Sequence, residues 1–560
     1  MKTRPHISSL KILFYAAGFL FLLFALNTWA VRPPKKPQGR VYLIHADRLS
    51  YNEIENPGAQ RLAGNVHFRH DGMDMFADSA VFFQESNSLE AFGKVRAKQG
   101  DTLSLNGDYL FYNGSSGIAE MRHNVVMKHR GQTLLTDSLN YDRLYGIGYY
   151  FDGGILKDGD TQLMSDWGEY HVNTREAQFN YNVNLTSPRY RLVTDTMRYD
   201  ARTKWAEVLG PSNIFQDKDV VYTEHGFYNT DAETYRLMKA SQRSKFYRGI
   251  ELKGDSISNF TSRLEADSIA KDGDWIKVFG HVEYLDRENK SMLLCDFAQY
   301  NDTIGQAMAT GHTLMKEFSS PSDTLFAHAD TLRLYTYDMA TDSLKTAESD
   351  SVYRVVYGYY HARAYRSDLQ VVSDSLVFNL RDKQLHLFRD PIVWNEDNQI
   401  LGEEIHVFLN DSTVDSIYVD RQALLVQQVD STLFNQVTGK QMRAYFTEGE
   451  MQRAESEGNV CIVYYPLEKD SSIVNMTYAE TALLKMFLKE KKMQRIWAPK
   501  AQGTFYPISQ APADKSKVPN FAWFDYVRPR DKYDLFDWRP KSQKDQLKAV
   551  PRRVAPVQHL

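Results

Sequence analysis

One string of residues returns at an interval of 29 to 31 positions along the first two hundred residues, and it constrains the fold more than any other feature. An Asp is followed two positions on by a small or apolar residue and four positions on by an aromatic one. The string reads Asp47, Leu49, Tyr51; Asp78, Ala80, Phe82; Asp108, Leu110, Tyr112; Asp137, Leu139, Tyr141; Asp166, Gly168, Tyr170; and Asp195, Met197, Tyr199. It returns as Asp296, Ala298, Tyr300, as Asp330, Leu332, Leu334, and as Asp374, Leu376, Phe378. Self-similarity at a fixed period marks an array of one repeated supersecondary unit. The spacing i, i+2, i+4 puts all three side chains on one face of an extended strand, because side chains alternate with period two.

A second alternating run follows in each unit: Leu62, Gly64, Val66 and Phe68, then Phe92 to Val95, and later Val278 to Val282. Asp71-Gly72, Gly100-Asp101, Arg130-Gly131, Asp158-Gly159 and Asp272-Gly273 lie between runs and read as tight hairpin turns, since Gly tolerates positive φ. Each unit is therefore two strands of about ten residues with two turns. A stretch from Ala479 to Arg495 fits helix or strand equally well. Aromatic residues make up 13% of the chain, with 34 Tyr against 8 Trp, a balance that suits strands with one packed and one wet face. The expected fold is all-β: repeated antiparallel strands whose apolar faces are buried in one or two elongated, fused two-sheet jellyrolls.

Residues 1–31 read as an export signal or a retained anchor. Lys2, Arg4 and Lys11 precede an uncharged apolar run from Ile12 to Val31, and Thr28-Trp29-Ala30 offers small residues where a signal peptidase cuts. Residues 32–260 form a first repeat region, 261–506 a more divergent second one, and 507–560 a Pro-rich, aromatic and basic tail read as a solvated end. A net charge of -4 gives no footprint for nucleic acid. Two cysteines, Cys295 and Cys461, exclude a disulfide framework and a Cys-rich zinc site, and read as two separate buried thiols.

Neither a His-Glu-x-x-His nor a Gly-x-Ser-x-Gly motif occurs, and no Gly-rich phosphate loop precedes a helix. No enzyme activity, cofactor or metal is expected; His67 with His70 and His123 with His129 are weighed as ligand pairs and read as ordinary strand histidines. The recurrent Asp reads as a backbone cap where a strand begins, rather than as a calcium ligand.

The exported start, the strand–turn–strand unit, and the phrases Arg61-Leu62-Ala63-Gly64-Asn65-Val66 and Met75-Phe76-Ala77-Asp78-Ser79-Ala80 together resemble the organic-solvent-tolerance (OstA/LptA-type) family. The resemblance is strongest from Val41 to Tyr199 and diffuse to Tyr506. It implies a β-jellyroll groove in the periplasm that shields the acyl chains of lipopolysaccharide, docked through edge strands to inner-membrane and outer-membrane transport components. Under it, the lipid-lining residues are Leu49, Tyr51, Val66, Phe68, Phe82, Val95, Leu110, Tyr112, Leu139, Tyr141, Met197 and Tyr199. A structural envelope scaffold and a polysaccharide-processing β-helix enzyme are the alternatives. The chain departs from the family pattern in its length and its tail.

Overall fold

The computed structural model describes residues 39–541 except 53, 55–56, 254–255, 319–323, 347–348, 350, 411–412, 469–471 and 490–491. The proposed signal or anchor and the last residues of the tail lie outside these. Contacts divide the chain into two compact units, one reaching Leu185 with Asp200–Arg202, the other made of Thr186–Tyr199 and Thr203 onward.

The first unit is built from β1 (Tyr42–His45), β2 (Arg48–Tyr51), β3 (Ala59–His70), β4 (Met73–Phe83), β5 (Ser88–Gln99), β6 (Leu103–Asn113), β7 (Ile118–His129) and β8 (Gln132–Asp142). Five more follow: β9 (Ile147–Tyr150), β10 (Gly154–Asp158), β11 (Thr161–Ser165), β12 (Trp167–His171) and β13 (Glu176–Thr186). Long strands serve two sheets. The first half of β3 pairs with β2 and with the second half of β4, while its second half pairs with β1 and the first half of β4. The same division holds through β5, β6 and β7, and β8 ends it by pairing with β10 through one half and β9 through the other. Two antiparallel sheets thus share strands that cross between them, the jellyroll-like arrangement expected from the repeat.

Each crossing is a bend with fixed chemistry. On β3 two residues, Gly64 and Asn65, stand against one on β4, Asp78, and both adopt positive φ, 79° and 47°. Gly93 and Lys94 do this on β5, His123 and Asn124 on β7, Tyr181 and Asn182 on β13. A bulge of this kind bends a strand and raises its twist. The repeat Asp of the neighbouring strand sits against the bend. Asp47 N–H donates to the Gly64 carbonyl at 2.9 Å, and the Asn65 side-chain amide donates to the Asp47 carboxylate at 3.0 Å. Asn124 reaches Asp108 at 2.7 Å, and Asn182 reaches Asp166 at 2.6 Å. The Asp is therefore a cross-strand brace: Asp47 and Asp166 stand where β2 and β12 begin, as expected, whereas Asp78, Asp108 and Asp137 lie inside β4, β6 and β8, which corrects the reading of those three as strand-entry caps. The Asp71-Gly72 and Arg130-Gly131 turns carry the expected paired positive φ.

In the second unit the same device recurs. Asp267 accepts from His281 beside Gly280, Asp296 is bonded to His312 beside Gly311, and Asp330 to His361 beside Tyr360. Later strands lengthen, as in Val414–Gln428, Phe434–Thr447, Glu450–Tyr464 and Asn475–Lys489, so the ambiguous stretch near Ala479 is strand. Residues of both strand halves, among them Val371, Ile400, Leu425, Ile405, Ile417 and Met442, meet in one inner cluster. Cys295 and Cys461 are buried free thiols, and burial pushes the Cys295 thiol up to about 12.

The tail is docked, not solvated, as far as residue 541. Val518, Ala522, Phe524 and Val527 cover the outward side chains Trp394, Leu424, Val426 and Val463 of one sheet. Phe524 N–H donates to Gln399 Oε1 at 2.8 Å and Gln399 donates back to the Ala522 carbonyl at 2.9 Å. Gln436 repeats this with Val518 and Ser516 at 2.9 and 3.0 Å. Arg528 donates to Gln370 at 2.7 Å, and buried Arg363 donates to the Asp537 carbonyl.

The bends predict a graded glycine sensitivity. A Cβ at Gly93 would lie 2.9 Å from the Asp78 carboxylate at φ +74, whereas Gly72 has φ +79 but open space. Gly93→Ala should destabilise by about 1–3 kcal/mol, and Gly72→Ala by clearly less. Urea unfolding of both variants checks this; equal losses would mean that the brace does not need the space.

Candidate functional site

The inward side chains of the first unit form the candidate site. Leu62, Val66 and Phe68 of β3, Met73, Met75 and Phe82 of β4, Leu89 and Val95 of β5, and Leu105, Leu110 and Tyr112 of β6 are all buried. Ala119, Met121 and Met127 of β7 and Leu134, Leu139 and Tyr141 of β8 continue the column. Of the residues picked from the sequence, Val66, Phe68, Phe82, Val95, Leu110, Tyr112, Leu139 and Tyr141 lie together in this interior. Met197 and Tyr199 are buried in the second unit.

Leu49 and Tyr51 depart from the expected inward burial. They stand directly opposite Leu62 and Gln60, and so share the inward face, yet they are 56% and 53% exposed. The cause is position. Among the described residues β1 and β2 pair only with β3, so the interior ends at an uncovered rung.

The interior is filled. Its side chains are packed to near-complete burial, and a void lined by Met127, Leu134, Gly148, Tyr150, Leu156 and Phe179 measures about 20 Å³, room for one water. Tyr150 takes its space from two glycines, since a Cβ at Gly154 or Gly168 would come within 2.5 Å of its ring. Its hydroxyl lies 2.6 Å from Ser165 Oγ.

Opposite the bends, where strands end, the two sheets are tied together by the repeat tyrosines. Tyr112 lies in one sheet, and its hydroxyl is 2.6 Å from Nδ1 of His70 in the other. Tyr141 donates to Gln99 at 3.2 Å. Tyr170 donates to Gln132 at 2.9 Å, which leaves it to accept from His129 Nδ1 at 3.0 Å. A buried phenol needs a partner for its O–H, and each partner lies 38 to 42 residues earlier, at the end of a strand of the facing sheet. Arg143 and Asp71 close the same seam from outside at 3.1 Å. Burial pushes Tyr141, Tyr150 and Tyr170 up to about 12, so they remain neutral donors. Burial likewise holds His70 and His129 below the ordinary histidine range.

The weighed histidine pairs do not converge. His67 bonds Asp74 on the outer side at 2.7 Å while His70 is buried against Tyr112, and His123 faces Asp137 while His129 is buried against Tyr170. The strut partners Gln99, His129 and Gln132 were missed in sequence because they belong to the strand-end turns, outside the repeated string; the recurrence of His70, Gln99 and His129 at the repeat interval was the available signal.

Residues 38–195 match the family model described as OstA-like protein, a match that spans the bends and struts of the first unit. A search of curated proteins gave no match.

The struts carry a pH dependence. A histidine held below its ordinary range in the folded state is protonated first in the unfolded chain, so stability is complete above about pH 6.5 and falls as pH drops below it. Gln99 occupies the place of His129 one repeat earlier, so His129→Gln should fold and should lose less melting temperature between pH 7.5 and 5.5 than the parent. Equal losses in both proteins would show that the seam does not titrate.

Proposed function

Starting from an OstA-like domain at residues 38–195, we propose that the protein is a non-enzymatic lipopolysaccharide carrier of the periplasm, exported through residues 1–31. The observation that carries this reading is the apolar column between two sheets, which ends in the uncovered rung of Leu49 and Tyr51. Keeping an acyl chain out of water is worth about 0.8 kcal/mol per CH₂, so a column of this kind suits a passive shield.

Because the column is closed by side chains, acyl chains must displace them. Met73, Met75, Met121 and Met127 are four buried, unbranched thioethers in this interior, the side chain best able to repack around a guest. The Tyr–His and Tyr–Gln struts are the contacts that part when the seam opens. The outer edge of β1 and β2, which pairs with no other strand among the described residues, offers an edge for a strand of an inner-membrane partner, and the far end of the chain serves an outer-membrane component.

A filled interior is also what a structural envelope scaffold would have, and one experiment separates the two. A photo-crosslinking residue at Leu49 or Val66, introduced in cells, should trap lipopolysaccharide, whereas one at the outward Arg69 should not. No trapping at the two inward sites, or equal trapping at all three, would favour the scaffold.

A further inference from the structure

In the second unit, the strands Gln384–Phe388 and Glu404–Leu409 alternate strictly. Leu385, Leu387, Ile405 and Val407 turn inward to the apolar cluster, which leaves Gln384, His386, Phe388, Glu404 and His406 on the outer face. The register sets His386 directly opposite His406, with Glu404 opposite Phe388 and therefore diagonal to His386. One ligand atom from each of His386, Glu404 and His406 lies within 4.8 Å of the other two. His386 Nε2 and Glu404 Oε2 are 3.1 Å apart, and the two imidazole rings are stacked with centroids 3.9 Å apart.

We propose that His386, Glu404 and His406 bind a divalent transition-metal cation of the zinc type. Two imidazoles and one carboxylate form a three-ligand set of the kind that leaves further coordination positions for water or substrate.

Neighbours position two of the three residues, His406 and Glu404. Metal-binding histidines donate their second ring nitrogen to an oxygen acceptor. The Gln384 side-chain amide lies 3.0 Å from His406 Nδ1, and with its oxygen and nitrogen exchanged it accepts that N–H. On the carboxylate, Arg421 holds Glu404 Oε1 at 2.7 Å, so that Oε2 is left facing His386. Arg421 is itself neutralised by Glu403 at 3.0 Å and Asp420 at 3.1 Å, which keeps the local field favourable to a cation. The side chains of His386 and Glu404 are 24% and 30% exposed, partly shielded from water yet reachable. An open cleft lined by Tyr360, Phe388, Arg389, Asp390, Glu403 and Arg421 borders Glu404, so the site has access from solution.

The test uses the full exported chain, stripped with a chelator and titrated with zinc sulfate by calorimetry. The expected result is saturable binding of one Zn²⁺ per chain, weakened at least tenfold in His386→Ala and again in His406→Ala. A control variant, His171→Ala, removes an imidazole that faces the single carboxylate of Glu169 at 2.6 Å, and should leave the zinc isotherm unchanged. Thermal melts of the metal-free proteins establish that each variant keeps the parent's fold. Replacing the first two variants by His386→Asn and His406→Asn keeps the test decisive if an alanine variant melts early. No saturable binding by the parent, or binding that survives both histidine substitutions in folded protein, would overturn the assignment.

Discussion

A strand that serves two sheets must turn a corner without leaving its backbone groups unpaired, and the rest of this structure follows from how it does so. Two consecutive residues in the left-handed region take the corner, a conformation that costs free energy for any residue but Gly and is best tolerated by Asn, Asp and His. The corner pairs Gly64-Asn65, Gly93-Lys94, His123-Asn124, Tyr181-Asn182 and Gly280-His281 each contain at least one of these residues. The turn points carbonyls out of the ladder, and the repeat Asp recovers them: its N–H takes the carbonyl of the first corner residue and its carboxylate takes the side chain of the second. Once each corner is fixed, the residues two and four positions after Asp can only point inward, and the aromatic at the fourth position reaches the facing sheet.

This geometry explains the abundance of tyrosine. A phenylalanine at the same place fills the column, as Phe82 does against Phe68 with ring centroids 5.4 Å apart. A tyrosine fills it and also bonds across it. Bends join the sheets on one side and phenol struts on the other, so the interior is bounded by two unlike seams. The bend is covalent and cannot open. The strut seam is held by hydrogen bonds, each worth about 0.5–1.5 kcal/mol net, and by the Arg143–Asp71 ion pair, on top of the apolar packing between the sheets.

The sequence carried the repeat, the strand count per unit and the inward face, because a strict period in Asp, apolar and aromatic positions survives without any knowledge of pairing. It concealed the bends. Leu62 and Val66, Ala91 and Val95, and Met121 and Val125 flank the corner pairs at a spacing of four, an even number, so the alternation runs through unbroken and Gly64 reads as an ordinary strand position. Leu49 and Tyr51 were legible as inward-facing but not as exposed, since nothing in the string says which rung is the last. The His386, Glu404 and His406 group had no sequence signature, because strand register, not spacing, brings its members together. The same limit hid the strut partners, which lie about forty residues from their tyrosines.

Composition misled most at the tail, where proline and basic residues suggested a solvated end. The decisive sequence fact lay elsewhere, in the buried triplet Ile392-Val393-Trp394. A strand in a two-sheet sandwich needs one apolar face, so three consecutive buried residues demand a cover on the second face as well. With Leu424, Val426 and Val463 beside it, Trp394 would otherwise form a contiguous outward apolar patch of the kind that soluble chains rarely leave bare. Strand residues cannot cover it, since both neighbours of each strand are already taken. An irregular segment can, provided its backbone groups find partners; Gln399 and Gln436 supply them from the sheet, while Gln370 takes the Arg528 side chain. These glutamines are themselves buried, and without the tail each side-chain oxygen would lose the donor it accepts from. Sheet and tail are therefore a single packing unit, and the proline-rich composition of the tail reflects its need for a non-helical, non-strand path across a sheet face.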